Sequence, residues 1–378
     1  MLIGLLALFF IWRAVALKDS YHLGLALLYT IAAGLTFAGR LRGGWRSNFL
    51  NIGIGLFFLD LVFAGLPMEK VGQALASANW WLIIPAMLAL ALHLLFRIWR
   101  WQWLLKPLGD IAFGPAFRAG MIGIGGNMVL PAKAGEFLRA YAIGRSSNIS
   151  KTGAFATVVV ERIFDGLTVL LFLLLLILFG VRDPSLRPFA VAGASVYLIA
   201  LGGIVVFILR RSWFEGLIAR FLPAGLAEKV LHLLHNFAVG LEALQDARQL
   251  GMVILLSLIT WSFTVLSFHP ILAAFDYGVP LPLFTSVLMV PMVAFGLTIP
   301  GAPAGVGPFH AFGVLAVVIS FQAAGTPLKM EIVEQEAIVV GAVVLVHATQ
   351  ALPEAALGLW AFFREGLTTS DLQTGQQL

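Results

Sequence analysis

The sequence predicts an all-α polytopic membrane protein, and its composition, hydropathy and charge placement each support that fold class. Of its 378 residues, 60% are hydrophobic and 11% are charged, whereas soluble domains have roughly 45–50% and about 25%. The mean hydropathy is +0.96. The net charge of +5 is carried by short basic clusters between apolar runs, which is typical of a membrane protein rather than of a nucleic-acid-binding one. We therefore expect no nucleic-acid partner.

About eight apolar runs approach the length of about 20 residues that a helix needs to cross a bilayer. The predicted spans are 1–17, 22–39, 51–67, 80–98, 154–181, 189–209, 251–275 and 338–363. The first run is short and carries Arg13, and its alternative is a signal peptide, but no small-residue cleavage site precedes the next run. We interpret 1–46 as an added N-terminal transmembrane hairpin and 47–366 as the main transmembrane domain.

Two further apolar segments are broken by glycine and proline. Segment 117–131 contains four glycines, and segment 283–321 is interrupted by Pro291 and by the proline- and glycine-rich run 300–308. Such a run cannot continue a helix, and non-helical backbone at membrane depth survives only where protein or a wet cavity surrounds it. Broken segments in both halves of a chain are typical of a transporter's site. We predict two re-entrant segments that enter from opposite sides.

The loops alternate between rich and poor in basic residues, and this alternation predicts the orientation. Basic clusters lie at 40–46, 97–151 and 210–248, whereas the loops at 69–70, 182–187 and 276 have little excess charge. Because cytoplasmic loops are rich in Lys and Arg, both termini are predicted on the cytoplasmic side of a cell inner membrane.

Two segments outside the spans have their own signatures. Apolar residues within 213–244 recur at helical spacing beside charged residues, which predicts an interfacial helix or helical hairpin on the cytoplasmic surface. The polar tail 367–378 is predicted to be disordered.

The first charged motif, Lys133, Glu136 and Arg139, follows directly after the break at Pro131. Since proline suits a helix start, we expect a helix over 132–143 whose N-terminus points into the membrane, with the three side chains on roughly one face. A helix N-terminus with two cations favours an anion, and phosphate is the obvious membrane anion. The alternative is a cytoplasmic helix whose charges face water.

The second charged motif is Glu161, Arg162 and Asp165, within a predicted span. At about 1.5 Å per residue, Glu161 would lie about 16 Å deep, near the bilayer centre. Each charge there costs at least ~2.5–3.5 kcal/mol on insertion scales, so the three must be paired or wet. Glu161 and Asp165 share a helix face, and Arg162 reaches Asp165. The alternative is a self-neutralising bridge that holds the bundle together.

The environment of the other polar residues is inferred from their positions in the predicted spans. Asp60 lies within the third span and needs a partner. His347, Gln350 and Glu354 form one polar face of the last span, which is expected to line the bundle interior. The stretch 97–103 is interpreted as a cytoplasmic belt of Trp and Arg anchors.

Catalytic signatures are absent from the sequence. No motif for ATP hydrolysis, a zinc protease or a serine hydrolase occurs, and the glycines in 120–126 do not fit a dinucleotide-binding fingerprint. These glycines are expected to let helices approach closely or a hairpin turn. With no cysteine, disulfides and thiolate chemistry are excluded. We expect no enzyme activity, no cofactor and no metal.

Four motifs in chain order carry a resemblance to a known family. They are Arg100-Trp101, Asn127 with 131–136 and Arg139, Val160 to Arg162 with Asp165, and Pro300-Gly301 with Pro303, Gly305 and Gly307. Together they resemble the flippase-like membrane domain of the lysylphosphatidylglycerol synthases, the multiple peptide resistance factors, over about 47–365. The resemblance implies a helical fold with re-entrant hairpins and translocation of a membrane phospholipid or lipid-linked substrate.

The resemblance also carries over candidate substrate-binding residues by position. They are Asn127, Lys133, Glu136, Arg139, Glu161, Arg162, Asp165, Pro300, Gly301, Gly305 and Gly307. The last motif departs from the family's Pro-Gly-Gly-x-Gly followed by Glu, because Ala304 and His310 stand in this chain. The missing carboxylate weakens the case for a cationic aminoacyl headgroup.

Two functions are expected from these features. The first is a lipid or lipid-linked-sugar flippase, driven by a gradient or by substrate concentration. The second is a non-transporting membrane partner that presents lipid to a synthase or glycosyltransferase. No synthase domain follows Phe363, so a separate lipid-modifying enzyme is the expected partner in both. Oligomeric state is not indicated by the sequence.

Overall fold

The computed structural model describes residues 2–18, 20–41, 43–130, 133–179, 186–241, 246–299 and 303–367. Within these ranges the chain forms α-helices and short 3-10 turns and no strand, which confirms the all-α class. The predictions made for Pro131, the loop residues 180–185, Pro300, Gly301 and the tail 368–378 lie outside the described residues.

Three helices form the N-terminal part: α1 (Leu2–Leu17), α2 (Ser20–Phe37) and α3 (Gly43–Phe63). They share an apolar core that includes Phe10 and Tyr29. Asp60 of α3 finds the partners that its position required, since Arg13 Nε lies 2.7 Å and His22 Nε2 2.5 Å from its carboxylate. Helix α3 begins before the predicted residue 51 because no helix breaker separates its polar first turns from the apolar ones.

A short amphipathic helix, α4 (Met68–Ser77), lies between the apolar runs that predict the spans. It packs on the first turns of the last helix, and Lys70 Nζ lies 3.1 Å from Glu334 Oε1. The N–H of Asn79 donates to the carbonyl of Ala274 at 2.8 Å. The loops around residues 70, 274 and 334 therefore lie together at one end of the bundle.

The centre of the chain contains α5 (Ile83–Leu105), α6 (Phe113–Val129), α7 (Gly135–Ser147), α8 (Lys151–Leu178) and α9 (Leu186–Leu209). Helix α7 begins at Gly135, three residues after the predicted start. Lys133 precedes it with a φ of 54°, so Lys133 does not share a helix face with Glu136 and Arg139 as predicted. Ser150 caps α8 by accepting the N–H of Gly153 at 3.1 Å.

The segment predicted as an interfacial helix or hairpin consists of two helices, α10 (Arg211–Phe221) and α11 (Ala224–Leu241). The two helices pack against each other, which agrees with a hairpin, and their position on the cytoplasmic surface stays a prediction. Helix α11 packs against α8 and against the 3-10 turn Lys106–Leu108 that ends the α5 segment. Helix α12 (Ala247–Ala273) follows, with Asp246 as its N-cap.

The second broken segment contains α13 (Thr285–Gly296), the 3-10 turn Pro303–Gly305 and α14 (Pro308–Ala323), followed by α15 (Val333–Arg364). The predicted interruption at Pro291 is wrong, because α13 continues through it. Residues 288–293 are all buried, and packing by neighbouring helices compensates for a missing N–H inside a membrane protein. The later break is confirmed by positive φ angles at Ala304, Gly305 and Gly307.

Five helices among the described residues are long and apolar enough to cross a membrane. They are Trp45–Phe63, Trp80–Leu108, Ala247–Ala273, Pro303–Ala323 and Val333–Arg364, with Leu2–Leu17, Tyr21–Phe37 and Thr285–Gly296 as shorter apolar helices. The chain is a multi-pass membrane protein. The total of eight spans and the re-entrant course of the two broken segments stay predictions. Among the predicted spans, α8 interrupts its apolar run with three charges.

The glycine run of α6 allows two helices to approach it closely, as expected. A Cβ added at Gly125 would lie 2.6 Å from the Cα of Gly358 on α15, and one added at Gly126 would lie 2.9 Å from the Cα of Gly135 on α7. The backbones themselves are in contact at these crossings, which only glycine permits. Helix α6 is thereby held between α7, which carries Glu136 and Arg139, and α15.

Candidate functional site

Helix α5 brings two arginines into the bundle at the level of the second charged motif. Arg100 and Trp101 are both 0% exposed, so the predicted interfacial belt at 97–103 is wrong for these two residues. Trp101 Nε1 donates to Thr157 Oγ1 of α8 at 2.9 Å. The missed signal was the helical spacing that places Arg97, Arg100 and the buried Leu104 on one side of a helix of spanning length.

Glu161 of α8 forms ion pairs with arginines of two other helices and is 0% exposed. Its carboxylate lies 2.8 Å from Arg139 Nη2 on α7, and 3.3 Å from Arg100 Nη2 and 3.4 Å from Arg97 Nε on α5. A buried charge is tolerated only when it is paired in this way. Glu161 therefore fixes α5, α7 and α8 relative to one another.

Asp165 lies one turn further along α8 on the same face. Its Oδ1 is 2.7 Å from Arg100 Nη1 and accepts the indole N–H of Trp261 on α12 at 2.9 Å. Arg100 also donates to Ser257 of α12 at 3.0 Å. These contacts extend the ion-pair network to a fourth helix.

Arg162 joins the two charged motifs. Its Nη2 lies 2.8 Å from Glu161 and 3.1 Å from Asp165, which confirms the predicted contact at i,i+3. Its Nε lies 3.5 Å from Glu136 Oε1 on α7. We define the charged cluster by the residues that these ion pairs connect: Arg97, Arg100, Glu136, Arg139, Glu161, Arg162 and Asp165.

Arg139 is a buried member of the charged cluster. It is 2% exposed, its side chain packs against Gly123, and its guanidinium lies 4.7 Å from the ring centroid of Trp101. The alternative of a cytoplasmic helix with water-facing charges is therefore excluded for this residue. Glu136 is partly buried, and Lys133 is exposed.

The charged cluster has more positive than negative charge, with four arginines against three carboxylates. Lys133 interacts electrostatically with Arg162 and Glu136 and adds a further positive charge. The side chains of Arg162 and Arg97 are 34% and 17% exposed. We call Lys133, Arg162 and Arg97 the accessible edge of the charged cluster. An anionic ligand that binds at this edge can therefore contact the cations that give the cluster its excess positive charge.

The remaining candidates of the first motif surround the start of α7. Asn127 of α6 has a buried Oδ1 without a hydrogen-bond partner among the described residues. A Cβ added at Gly135 would lie 2.8 Å from that oxygen, so Asn127 adjoins the N-terminus of α7. Helix α6 also packs against the 3-10 turn Pro303–Gly305. The two broken segments therefore meet inside the bundle.

Two histidines hold the second break, a role that sequence reasoning did not assign to them. His347 Nε2 donates to the carbonyl of Ala304 at 3.0 Å, and its Nδ1 lies 3.4 Å from His310 Nε2. His310 Nδ1 accepts the N–H of Gly307 at 3.4 Å. These bonds assign the tautomers of two neutral imidazoles, with the Nε2–H of His310 donating to His347.

The other residues of the break have close neighbours as well. Gly305 packs on Leu297, and Gly307 packs on the backbone of Gly55 in α3. Gln350 Nε2 donates to Ser267 Oγ of α12 at 3.2 Å, while His347 and Glu354 are 8% and 9% exposed. The predicted interior position of the polar face of α15 is confirmed.

The fold and the site define a class: a multi-pass helical membrane protein with an arginine-rich charged cluster inside the bundle, beside two broken helical segments. The chain belongs to the family described as the lysylphosphatidylglycerol synthase TM region, which matches residues 48–327. The resemblance stated from the sequence motifs is thereby confirmed. The match is to a transmembrane region and not to a catalytic domain.

Archaeal membrane proteins are among the relatives. A UPF0104 membrane protein of Methanocaldococcus jannaschii is 24% identical over 298 residues, covering 75% of this chain and 86% of the relative. A UPF0104 membrane protein of Pyrococcus horikoshii is 25% identical, covering 68% and 82%. The glycosyltransferase AglD of Haloferax volcanii is 27% identical over 62% of this chain and 44% of its own length.

Proposed function

We propose that this protein translocates a lipid whose phosphate headgroup binds at the accessible edge of the charged cluster. One observation supports the proposal. The buried network has more positive than negative charge, and its accessible cations Lys133 and Arg162 lie beside the N-terminus of α7. A phosphate accepts charge-assisted hydrogen bonds from lysine and arginine and from backbone N–H groups. Arg139, which the sequence suggested as a phosphate ligand, instead positions the network through Glu161.

The predicted depth of the charged cluster, taken from α8 as a span that starts at the membrane surface, supports translocation rather than binding at the surface. Glu161 lies ten residues after the start of α8 at Lys151, which corresponds to about 15 Å along the helix. That is half of a hydrocarbon core about 30 Å thick. A headgroup that crosses the membrane must pass this level, where the charged cluster replaces part of its hydration.

An apolar groove about two helical turns from the charged cluster suits the acyl chains. It has a volume of about 470 Å³ and is lined by Phe172 and Leu175 of α8 and by Val265 of α12 among others. Phe172 lies two turns beyond Asp165, and Val265 one turn beyond Trp261, which bonds Asp165. A lipid with its phosphate at the edge and its chains in the groove contacts protein at both ends.

Leaflet-resolved transport in proteoliposomes tests the proposal. The probe is fluorescently labelled phosphatidylglycerol in phosphatidylcholine vesicles, with back-extraction to measure the outer leaflet. Lys133→Ala and Arg162→Gln are expected to slow transport about tenfold each, since a charge-assisted hydrogen bond is worth about 1.5–3 kcal/mol. Lys70→Ala, at an exposed lysine remote from the charged cluster, is the matched control. Wild-type rates in both folded cluster variants would reject this site.

The Haloferax relative favours a second candidate, a membrane partner that presents a lipid-linked sugar to a glycosyltransferase. That relative is named a glycosyltransferase, and this chain matches 44% of its length. The same vesicles separate the candidates. A presenting partner binds the lipid at the accessible edge, but the wild-type protein leaves the leaflet distribution unchanged.

A further inference from the structure

Glu354 is a buried carboxylate that the charged cluster does not include. It is 9% exposed on α15, a helix long and apolar enough to cross the membrane. Gly358, one turn later, contacts the backbone of Gly125 in α6. Among the described residues, Glu354 has no hydrogen-bond or ion-pair partner. An unpaired intramembrane carboxylate is costly and marks a functional site by default.

The elements packed against α15 are α4, α5, α6, α12 and α14. Their titratable and charged groups near it are engaged with partners of their own. The pairs are Glu69 with Gln73, Lys70 with Glu334, His93 with Thr260 and Thr264, Arg118 with Glu365, His269 with Ser286, and His310 with His347.

Arg97 of α5 is different, because its helix packs against α15 and its positive charge acts on Glu354, with no direct ion pair between the two side chains. Its pairing with Glu161 is long, at 3.4 Å. Glu161 already has Arg100, Arg139 and Arg162 around it. The charge of Arg97 therefore acts on two carboxylates: Glu161, which has three other arginines, and Glu354, which has no ion-pair partner among the described residues.

We propose that Glu354 binds a proton when an anionic headgroup binds at Arg97, so that lipid and proton cross together. The inference rests on the proposed headgroup site. A phosphate beside Arg97 adds negative potential at Glu354 and offsets the field of the arginine, which favours the protonated carboxyl. Because coupling between two sites is reciprocal, a protonated Glu354 strengthens phosphate binding by the same factor.

The polar face of α15 continues from Glu354 toward the second break. Gln350 lies one turn before Glu354 and bonds Ser267, and His347 lies one turn earlier and bonds the carbonyl of Ala304. This polar face extends from Glu354 to the 3-10 turn against which α6 packs. It joins Glu354 to the broken backbone that a moving headgroup must pass.

Binding measurements at two pH values test the coupling directly. Purified protein is titrated with fluorescent phosphatidylglycerol in detergent at about pH 5 and about pH 8. The wild type is expected to bind about tenfold more tightly in acid, a typical coupling strength, and to take up protons from a weakly buffered solution as lipid is added. Glu354→Gln is expected to bind equally at both pH values and to take up none.

Two variants control for folding and for surface charge. Glu354→Asp keeps a titratable group and is expected to retain the pH dependence. Glu334→Gln removes an exposed carboxylate from the same helix and is expected to behave as the wild type. Equal pH dependence in folded Glu354→Gln and the wild type would overturn the inference.

Transport measurements with and without a pH gradient distinguish this inference from the proposed function. An inward pH gradient is expected to accelerate lipid transport by the wild type and not by Glu354→Gln, which still moves lipid down its concentration gradient. If the wild type transports lipid without response to the gradient and without proton uptake, the coupling is wrong and the transport proposal stands. If the wild type neither binds nor moves the lipid, both proposals fail.

Discussion

At the residue scale, Glu161 and Arg139 connect the two charged motifs through one buried ion pair of 2.8 Å. Removing one partner leaves the other charge buried and unpaired, which costs about 3–5 kcal/mol. We expect Arg139→Ala and Glu161→Gln each to destabilise the protein, and the double variant to lose less than the sum. The coupling free energy should exceed about 0.5 kcal/mol, measured by chemical unfolding in detergent.

The control for this cycle is the exposed pair Lys70 and Glu334, whose side chains are 39% and 62% exposed. Their double variant is expected to be additive, since solvent screens exposed ion pairs. Additivity in the Arg139 and Glu161 cycle as well would contradict the network.

A second prediction concerns the geometry of Arg100. Its two terminal nitrogens reach different carboxylates, Asp165 at 2.7 Å and Glu161 at 3.3 Å. Lysine keeps the charge but lacks the planar fork. Arg100→Lys is therefore expected to lose about 1–3 kcal/mol of unfolding free energy, and Arg100→Ala more. Arg118→Lys, at a partly exposed pair with Glu365, should change stability much less. A stable Arg100→Ala protein would contradict the buried role of this residue.

The carboxylates of the charged cluster were predictable, as were Arg139 and Arg162, whereas the inward position of Arg97 and Arg100 was not. Glu161 and Asp165 stand out because carboxylates inside an apolar run must be paired. Their partners Arg97 and Arg100 lie on another helix, and Arg97 is 64 residues away from Glu161. Arginine near the end of a span commonly lies at the membrane interface, and only the tertiary packing of α5 on α8 and α12 turns it inward.

At the element scale, helix α6 depends on glycine for its position. A Cβ at Gly125 would lie 2.6 Å from the Cα of Gly358, and a backbone atom cannot move aside as a side chain can. We expect Gly125→Ala to separate α6 from α15 and to cost about 1–3 kcal/mol. In α9, Gly203 has nothing within 4 Å of an added Cβ, so Gly203→Ala is the matched control. Equal thermal stability of the two variants would contradict the close crossing.

Of the two interruptions predicted for the second broken segment, one was predictable from the sequence and one was not. The glycine- and proline-rich run around 303–307 was predictable because no helix accommodates its positive φ angles. Pro291 was not, because surrounding helices determine whether a proline ends a membrane helix. The close approach of α6 to the Pro303–Gly305 turn is a long-range contact that no local pattern encodes.

At the scale of the whole molecule, two sets of contacts place the loops at opposite ends of the bundle. Lys70 and Glu334 pair at one end, where the backbones of Asn79 and Ala274 also meet. Arg118 and Glu365 pair at the far end of α15. The loops with little excess charge at 69–70 and 276 thus share an end, as the charge alternation requires.

The positive-inside bias assigns the end near Glu365 to the cytoplasm, and impermeant thiol labelling in intact cells checks the assignment. The chain has no cysteine, so single substitutions report without background. Glu331→Cys, at an exposed position near Glu334, is expected to react from outside, and Ser185→Cys with it. Arg364→Cys is expected to react only after permeabilisation, because α15 separates it from Glu331 by the length of a span. Labelling of residue 185 from the cytoplasmic side alone would reverse the orientation, and with it the side from which a headgroup enters.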